Sequence, residues 1–400
     1  MLTSPRLEGL SKKVYLGNIP IFFPASSFFW GAIFFGGIFF ASSNVGEAKE
    51  IIRVLILRDV SQCKLSGQEL ALQDLKTGQM FFKNQRLSSL TIERGAHPRL
   101  RVRGHPISAQ AFLLTSSGGP LTINGRRYRD KLKIFPGQNG DLWVINELPL
   151  EQYLVGLINC EISSQWPWEA VKAQAVVART YATFQKGNRL GELFDLDSRV
   201  IDQVYEGIDR EDGRSRRAVK ETDRELLLYQ GQPIFAVYHA CCGGKTESPE
   251  HMWPGDYPYL KSIACNLCLD SPFFLWNYQA DPDTLSKALK SGGFSGSRVL
   301  GIEVSERSQT RRVLQISLQS EKGRLEVSGK EFRRLLGYDQ LRSTNFIVNA
   351  SGGAFLFSGL GWGHGVGLCQ WGAKGMAEGG ADYRSILKYY YQKVDIGKLS

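Results

Sequence analysis

From Gly359 to Gly367 every second residue is glycine, with Leu360, Trp362, His364 and Val366 between them. In an extended chain successive side chains point to opposite faces. The spacing therefore predicts a strand with one face of bare backbone, approached by something that a Cβ would exclude. Two partners fit. One is a flat, polar ligand lying against the backbone, with Trp362 to stack on it and His364 to hydrogen-bond to it. The other is a tightly packed internal neighbour, such as the alanine-rich helix predicted over 167–186. Gln370 and Trp371 extend the same floor.

The chain around this segment has 400 residues, 42% hydrophobic and 22% charged, enough for two or three globular domains. Residues 19–43 carry no charge and are long enough to cross a bilayer. Arg6, Lys12 and Lys13 precede them, which keeps that end in the cytoplasm. The run is longer than the apolar region of a signal peptide, so an uncleaved anchor is preferred, although Ala41, Ser42 and Ser43 leave a cleavable signal open. Either way the bulk of the chain is exported. The formal net charge of +10 favours an anionic partner. That charge is spread, with no basic stripe interleaved with aromatics, which argues against nucleic acid.

Residues 51–146 hold short β-branched and alternating runs separated by Gly, Pro, Asn and Ser, and read as mainly β. From 147 to 400 helical and strand patterns mix, with an insertion-like subdomain over 280–355. The expected class is α+β: a cytoplasmic stretch (1–18), an anchor (19–43), a β part and a mixed core. The strongest helix follows Glu161. Ser163 or Ser164 is expected to cap it, Pro167 to open it and Gly187 to follow its end. Its stripe of Val171, Ala175, Ala178 and Ala182 predicts very close packing. Lys172 and Arg179, seven apart, lie almost two turns along one side. An acid at the helix entry with two cations on one side suits a cleft for an anionic substrate, and it equally suits a solvated charged face.

Seven cysteines are present, four of them within 28 positions. His239, Cys242, Cys265 and Cys268 form a candidate tetrahedral zinc site. The alternative is a disulfide, either Cys265 to Cys268 or one cysteine of the 241–242 pair to one of these, in an oxidising space. Cys63, Cys160 and Cys369 look isolated, and no organic cofactor is expected.

Five stretches in order carry a resemblance: "INELPLEQYLVGLINCEI", "WPWEAVKAQAVVARTYA", "DQVYEG", "YHACCGGKTES" and "GLGWGHGVGLCQWGAKGMAEGGADYRSILKYYY". Together they resemble the stage II sporulation protein D family. The resemblance implies a peptidoglycan lytic transglycosylase of the bacterial cell envelope, acting outside the cytoplasm on glycan strands whose stem peptides an amidase has removed. It puts the catalytic role on Glu161, supporting roles on Lys172 and Arg179, and Gln203 and Tyr205 along the cleft. It also favours Cys242 as the strand-end metal ligand. The family includes amidase enhancers that bind glycan or an amidase without catalysis, and this is the runner-up. A zinc-dependent hydrolase ranks third, because a cysteine-rich site is usually closed.

A single carboxylate suits the implied reaction. Ordinary glycosidases use two, but in a lytic transglycosylase the muramic C6 hydroxyl attacks C1, so one glutamate can protonate the leaving oxygen and accept the proton of the attacking hydroxyl. Neighbouring cations would lower the pKa that an acid needs high. Lys172 and Arg179 are therefore expected to hold the muramic carboxylate, while burial near Trp166 and Trp168 raises Glu161.

Overall fold

The computed structural model describes residues 49–94, 100–102, 105–107, 111–137, 141–294 and 298–398. The expected anchor at 19–43 lies outside the described residues. Among those residues no helix is long and apolar enough to cross a membrane. The described chain is a mixed α and β structure with seven α-helices: α1 (Leu150–Glu161), α2 (Trp168–Asn188), α3 (Gly213–Glu221), α4 (Pro282–Ser291), α5 (Gly329–Leu336), α6 (Gln370–Glu378) and α7 (Tyr383–Tyr390).

The β-branched run Ile51–Val60 forms a strand paired antiparallel with Leu142–Pro149, Ile52 opposite Leu148. On its other side Leu196–Asp197 adds the sheet's parallel pair. Beyond Leu142–Pro149 the order continues through Lys131–Pro136, Phe112–Ser116, Gln62–Asp74 and Met80–Arg94. Alternating residues of these strands, among them Val54, Leu72, Phe112, Leu132 and Val144, bury one face, each side chain contributing about 1.5–3 kcal/mol. Chain reversal at Pro149 lays α1 directly against this face, and one continuous apolar cluster joins the sheet to α1, α2 and α7.

Helix α2 is buried almost all round from Ala170 to Thr183, as expected of a helix at the centre of a large core. Ala173, Ala175, Ala178 and Ala182 are fully buried, and α1, α3, α6 and α7 all pack on this one helix. Its start differs from expectation. Pro167 occupies the cap position without a side-chain bond. Ser164 is instead tied to Asn159 and Asp212, which staples the Glu161–Pro167 connection to α1 and to the start of α3. Gly187 lies inside the last turn, one residue before the helix ends.

Residues 275–360 build a second apolar core of their own around Trp276, Leu285, Ile316, Phe332, Phe346 and Phe357. Two three-stranded antiparallel sheets, with α4 and α5, enclose it.

The glycine run is not the strand that its period predicted. The chain is extended only to Leu360 and again at Leu368–Cys369. Gly361, Gly363, Gly365 and Gly367 all have positive φ, from +72° to +117°. Such dihedrals cost glycine nothing and other L-residues much. The close protein neighbour is not α2. A Cβ on Gly363 would lie 2.5 Å from the Cβ of His239, and one on Gly367 would strike the Val237 carbonyl oxygen. The run wraps the 237–243 segment, and its glycines let two backbones touch.

Candidate active site

Glu161 is the last residue of α1, where the helix stops against the 162–167 connection. Its Oε1 accepts from the backbone N–H of Val204 at 2.8 Å. The side chains of Tyr238 and Gln370 also hydrogen-bond to the carboxylate. These contacts come from three distant stretches, and α2 is the spine that gathers them. Gln203 donates to the Ala178 carbonyl of α2 at 3.3 Å and to the Tyr238 hydroxyl at 3.2 Å. Tyr153 of α1 donates to Gln203 at 3.1 Å, and Gln370 bonds Gln174 of α2 at 3.3 Å. Burial pushes the Glu161 carboxyl up to about 7, against the three hydrogen bonds that favour its charged form. Among the described residues no second carboxylate is hydrogen-bonded to it. The arrangement can hold a proton near neutral pH and give it up to a group bound in front.

Neither expected cation takes part in it. Arg179 is 1% exposed. It makes a bidentate pair with Glu151 at 2.7 Å and donates to the carbonyls of Glu225 and Val219. All of this ties α2 to α1 and to the end of α3, so the side chain is a structural staple and has nothing left for a ligand. Lys172 pairs with Glu169 at 2.7 Å and lies over the ring of Tyr383. Seven-residue spacing put both on one side of α2 as expected, but that side carries packed neighbours. Trp168, expected to bury Glu161, instead lies between Arg214 and Arg217 and donates to Glu221.

Gln203 and Tyr205 are both interior. Gln203 is fully buried behind the carboxylate, where it orients Tyr238. Tyr205 donates to Asn146 at 3.2 Å and packs on Tyr128 and Tyr153. Both ring nitrogens of the partly exposed His364 already have backbone partners. Its Nε2 bonds the Tyr238 carbonyl at 2.9 Å and its Nδ1 accepts from the Val366 N–H. That fixes one neutral tautomer, and burial pulls its pKa down to about 3. Trp362 remains half-exposed, its backbone bridged to Cys241. Tyr238 and Gln174 escaped sequence reasoning. Tyr238 stands directly before the His239–Cys242 motif, and nothing in its spacing shows which way it faces.

The sulfurs of Cys242, Cys265, Cys268 and Cys369 all lie within 4.8 Å of one another, and all four residues are buried. Sulfurs on a tetrahedral zinc stand about 3.8 Å apart. The fourth member is Cys369, where the sequence pointed to His239. The His239 ring contacts the Val366 carbonyl through Nδ1 at 3.1 Å and, among the described residues, leaves Nε2 buried without a hydrogen-bond partner. Cys369 caps α6, accepting from the N–H groups of Gly372 and Cys242. A helix N-terminus favours the thiolate that a metal requires.

Residues 138–229, which carry Glu161, match the family described as Stage II sporulation protein. Residues 268–367 match a domain of unknown function. The stage II sporulation protein D of Bacillus amyloliquefaciens is 31% identical over 271 residues, covering 64% of this chain and 76% of that protein. An uncharacterized protein of Brachyspira hyodysenteriae is 34% identical over 277 residues, 69% of this chain and 74% of its own. The amidase enhancer of Bacillus subtilis is 27% identical over 283 residues, 60% of this chain and 39% of that protein. The chain belongs to the stage II sporulation protein D family.

Proposed function

We propose that the chain is a lytic transglycosylase that cuts peptide-denuded peptidoglycan glycan strands. The observation that carries this reading is a single carboxyl, Glu161, bonded to the Val204 N–H with no second carboxylate hydrogen-bonded to it among the described residues, its pKa raised by burial to about 7. Protonated Glu161 gives its proton to the glycosidic oxygen as the C1–O bond breaks. The muramic C6 oxygen bonds to C1, and the hydroxyl proton passes to the Glu161 carboxylate. The ring closes as 1,6-anhydromuramic acid, and the glutamate ends as it began. Tyr238 and Gln370 steady the carboxylate while it is charged.

In this reading Cys242, Cys265, Cys268 and Cys369 hold a structural zinc. Four sulfurs close the coordination sphere, so the ion would crosslink the chain and leave no open position for catalysis. Residues 19–43 anchor the exported chain at the cell envelope. An amidase that strips stem peptides supplies the substrate.

The test is mass spectrometry of products from amidase-treated sacculi. Anhydromuramic ends are expected. In Glu161→Gln they fall by at least roughly 10²-fold, the lower figure for losing an acid–base group, while the protein still folds and co-sediments with the strands. Reducing ends would mean hydrolysis. Strand binding without any product would favour the enhancer reading, which the Bacillus subtilis relative supports.

A further inference from the structure

Arg179 is spent inside the fold and is not free to meet an anionic glycan. A different row of side chains leads away from Glu161. Trp166, in the connection that follows Glu161, lies edge-on to Trp371 at 5.2 Å, and Trp371 is the residue after Gln370. Phe273 lies edge-on to Trp371 at 6.3 Å and to Trp362 at 4.8 Å. All four rings are half-exposed. Lys374 stands over Trp371 and Trp166 at the inner end, paired with Glu378. The outer end is closed by Arg342, whose guanidinium sits 4.8 Å above the Trp362 ring. The Arg342 carbonyl accepts from the Gly363 N–H at 2.9 Å, which pins this loop to the glycine run. Among the described residues Arg342 has no carboxylate partner.

We infer that Phe273, Trp362 and Arg342 form an outer glycan subsite that reads a carboxylate on the strand; this rests on the proposed action on glycan. Half-exposed rings offer faces to the C–H side of a sugar and edges to its hydroxyls. A guanidinium parked on an aromatic face is pre-oriented, and its planar fork matches a carboxylate in two hydrogen bonds. Muramic acid freed of its peptide carries such a carboxylate on its lactyl group, whereas N-acetylglucosamine does not. Phe273, Arg342 and Trp362 all lie within the segment matched to a domain of unknown function. The matched segment thereby supplies the side chains that select muramic residues, Arg342 from the second core and Phe273 and Trp362 from its flanks.

The experiment uses full-length protein in detergent and two probes: denuded glycan strands, and neutral oligomers of N-acetylglucosamine. Arg342→Ala is expected to lose about tenfold or more of its affinity for denuded strands, the scale of a charge-assisted hydrogen bond. Its affinity for the neutral oligomers stays unchanged, and its KM rises with kcat retained. Arg342→Lys recovers only part of the loss. Phe273→Ala weakens both probes. Unchanged affinity of Arg342→Ala for denuded strands, or an equal loss on both probes, overturns the subsite. Strand binding that depends on Arg342 in a wild type that makes no anhydro ends keeps the subsite and removes the lytic reading. Normal cleavage with an unchanged KM in Arg342→Ala does the reverse.

Discussion

Glu161 keeps its proton to about pH 7 because the cost of charging a largely desolvated, half-buried carboxyl exceeds what Val204, Tyr238 and Gln370 return to the ion. A general acid must start protonated. Turnover on denuded strands should therefore be steady below about pH 7 and fall about tenfold per unit above it. A kcat profile flat to pH 9 would remove Glu161 from the acid role. The same shift acts on stability. The folded chain binds this proton more tightly than the unfolded chain between the ordinary value of 4.5 and about 7. Stability from this group is full below 4.5 and is lost as pH rises through about 7. Glu161→Gln should consequently be more stable than wild type at pH 8, by roughly 1–3 kcal/mol, with the gap closing at pH 4. Urea unfolding at the two pH values measures it.

At the scale of elements, α2 does more for the site than its surface residues do. It presents the Ala178 carbonyl to Gln203 and the Gln174 amide to Gln370, and it is fixed in place by Arg179. Replacing Arg179 by Ala leaves Glu151 and two backbone carbonyls without their donor. The expected outcome is a loss of about 3 kcal/mol of stability, the scale of a broken buried pair. Urea denaturation reads that loss, and the affinity of the remaining folded protein for denuded strands should be unchanged. A stable variant with weakened binding would restore the ligand role that the spacing with Lys172 first implied. The glycine run teaches a related lesson. Its period of two was plain in the sequence, but positive φ at four alternate positions folds it around residues 237–243. It acts as a clasp that carries His364 onto the Tyr238 carbonyl.

At the scale of the molecule, the four clustered cysteines join a strand end, a loop and the start of α6, regions separated by up to 127 positions. A zinc ion there would bind folding to metal. Purified protein should contain about one zinc per chain, and Cys369→Ser should lose it with a lower melting temperature. His239→Gln should keep the metal, since His239 stands outside the cluster. A strong chelator should lower the melting temperature of wild type and leave that of Cys369→Ser unchanged. A mapped disulfide among the four, or a metal-free stable protein, would overturn the assignment.

Local patterns determined what local physics decides. Strand periods over 51–57 and 141–146, the apolar alanine stripe of the long helix, and the motif order that places Glu161 at its mouth were all legible, because each depends on neighbours within a few residues. The environment of each charged group was not. Arg179 and Lys172 share one helix side by geometry, but their partners Glu151, Glu225 and Tyr383 arrive from other elements. Cys369 looked isolated in sequence, 101 positions after Cys268, because sulfur–sulfur proximity is set by chain crossing. The elevated pKa of Glu161 has the same origin. It follows from burial at a site where the end of α1 meets Val204, Tyr238 and Gln370, groups that only the packed core brings together and whose hydrogen bonds burial outweighs.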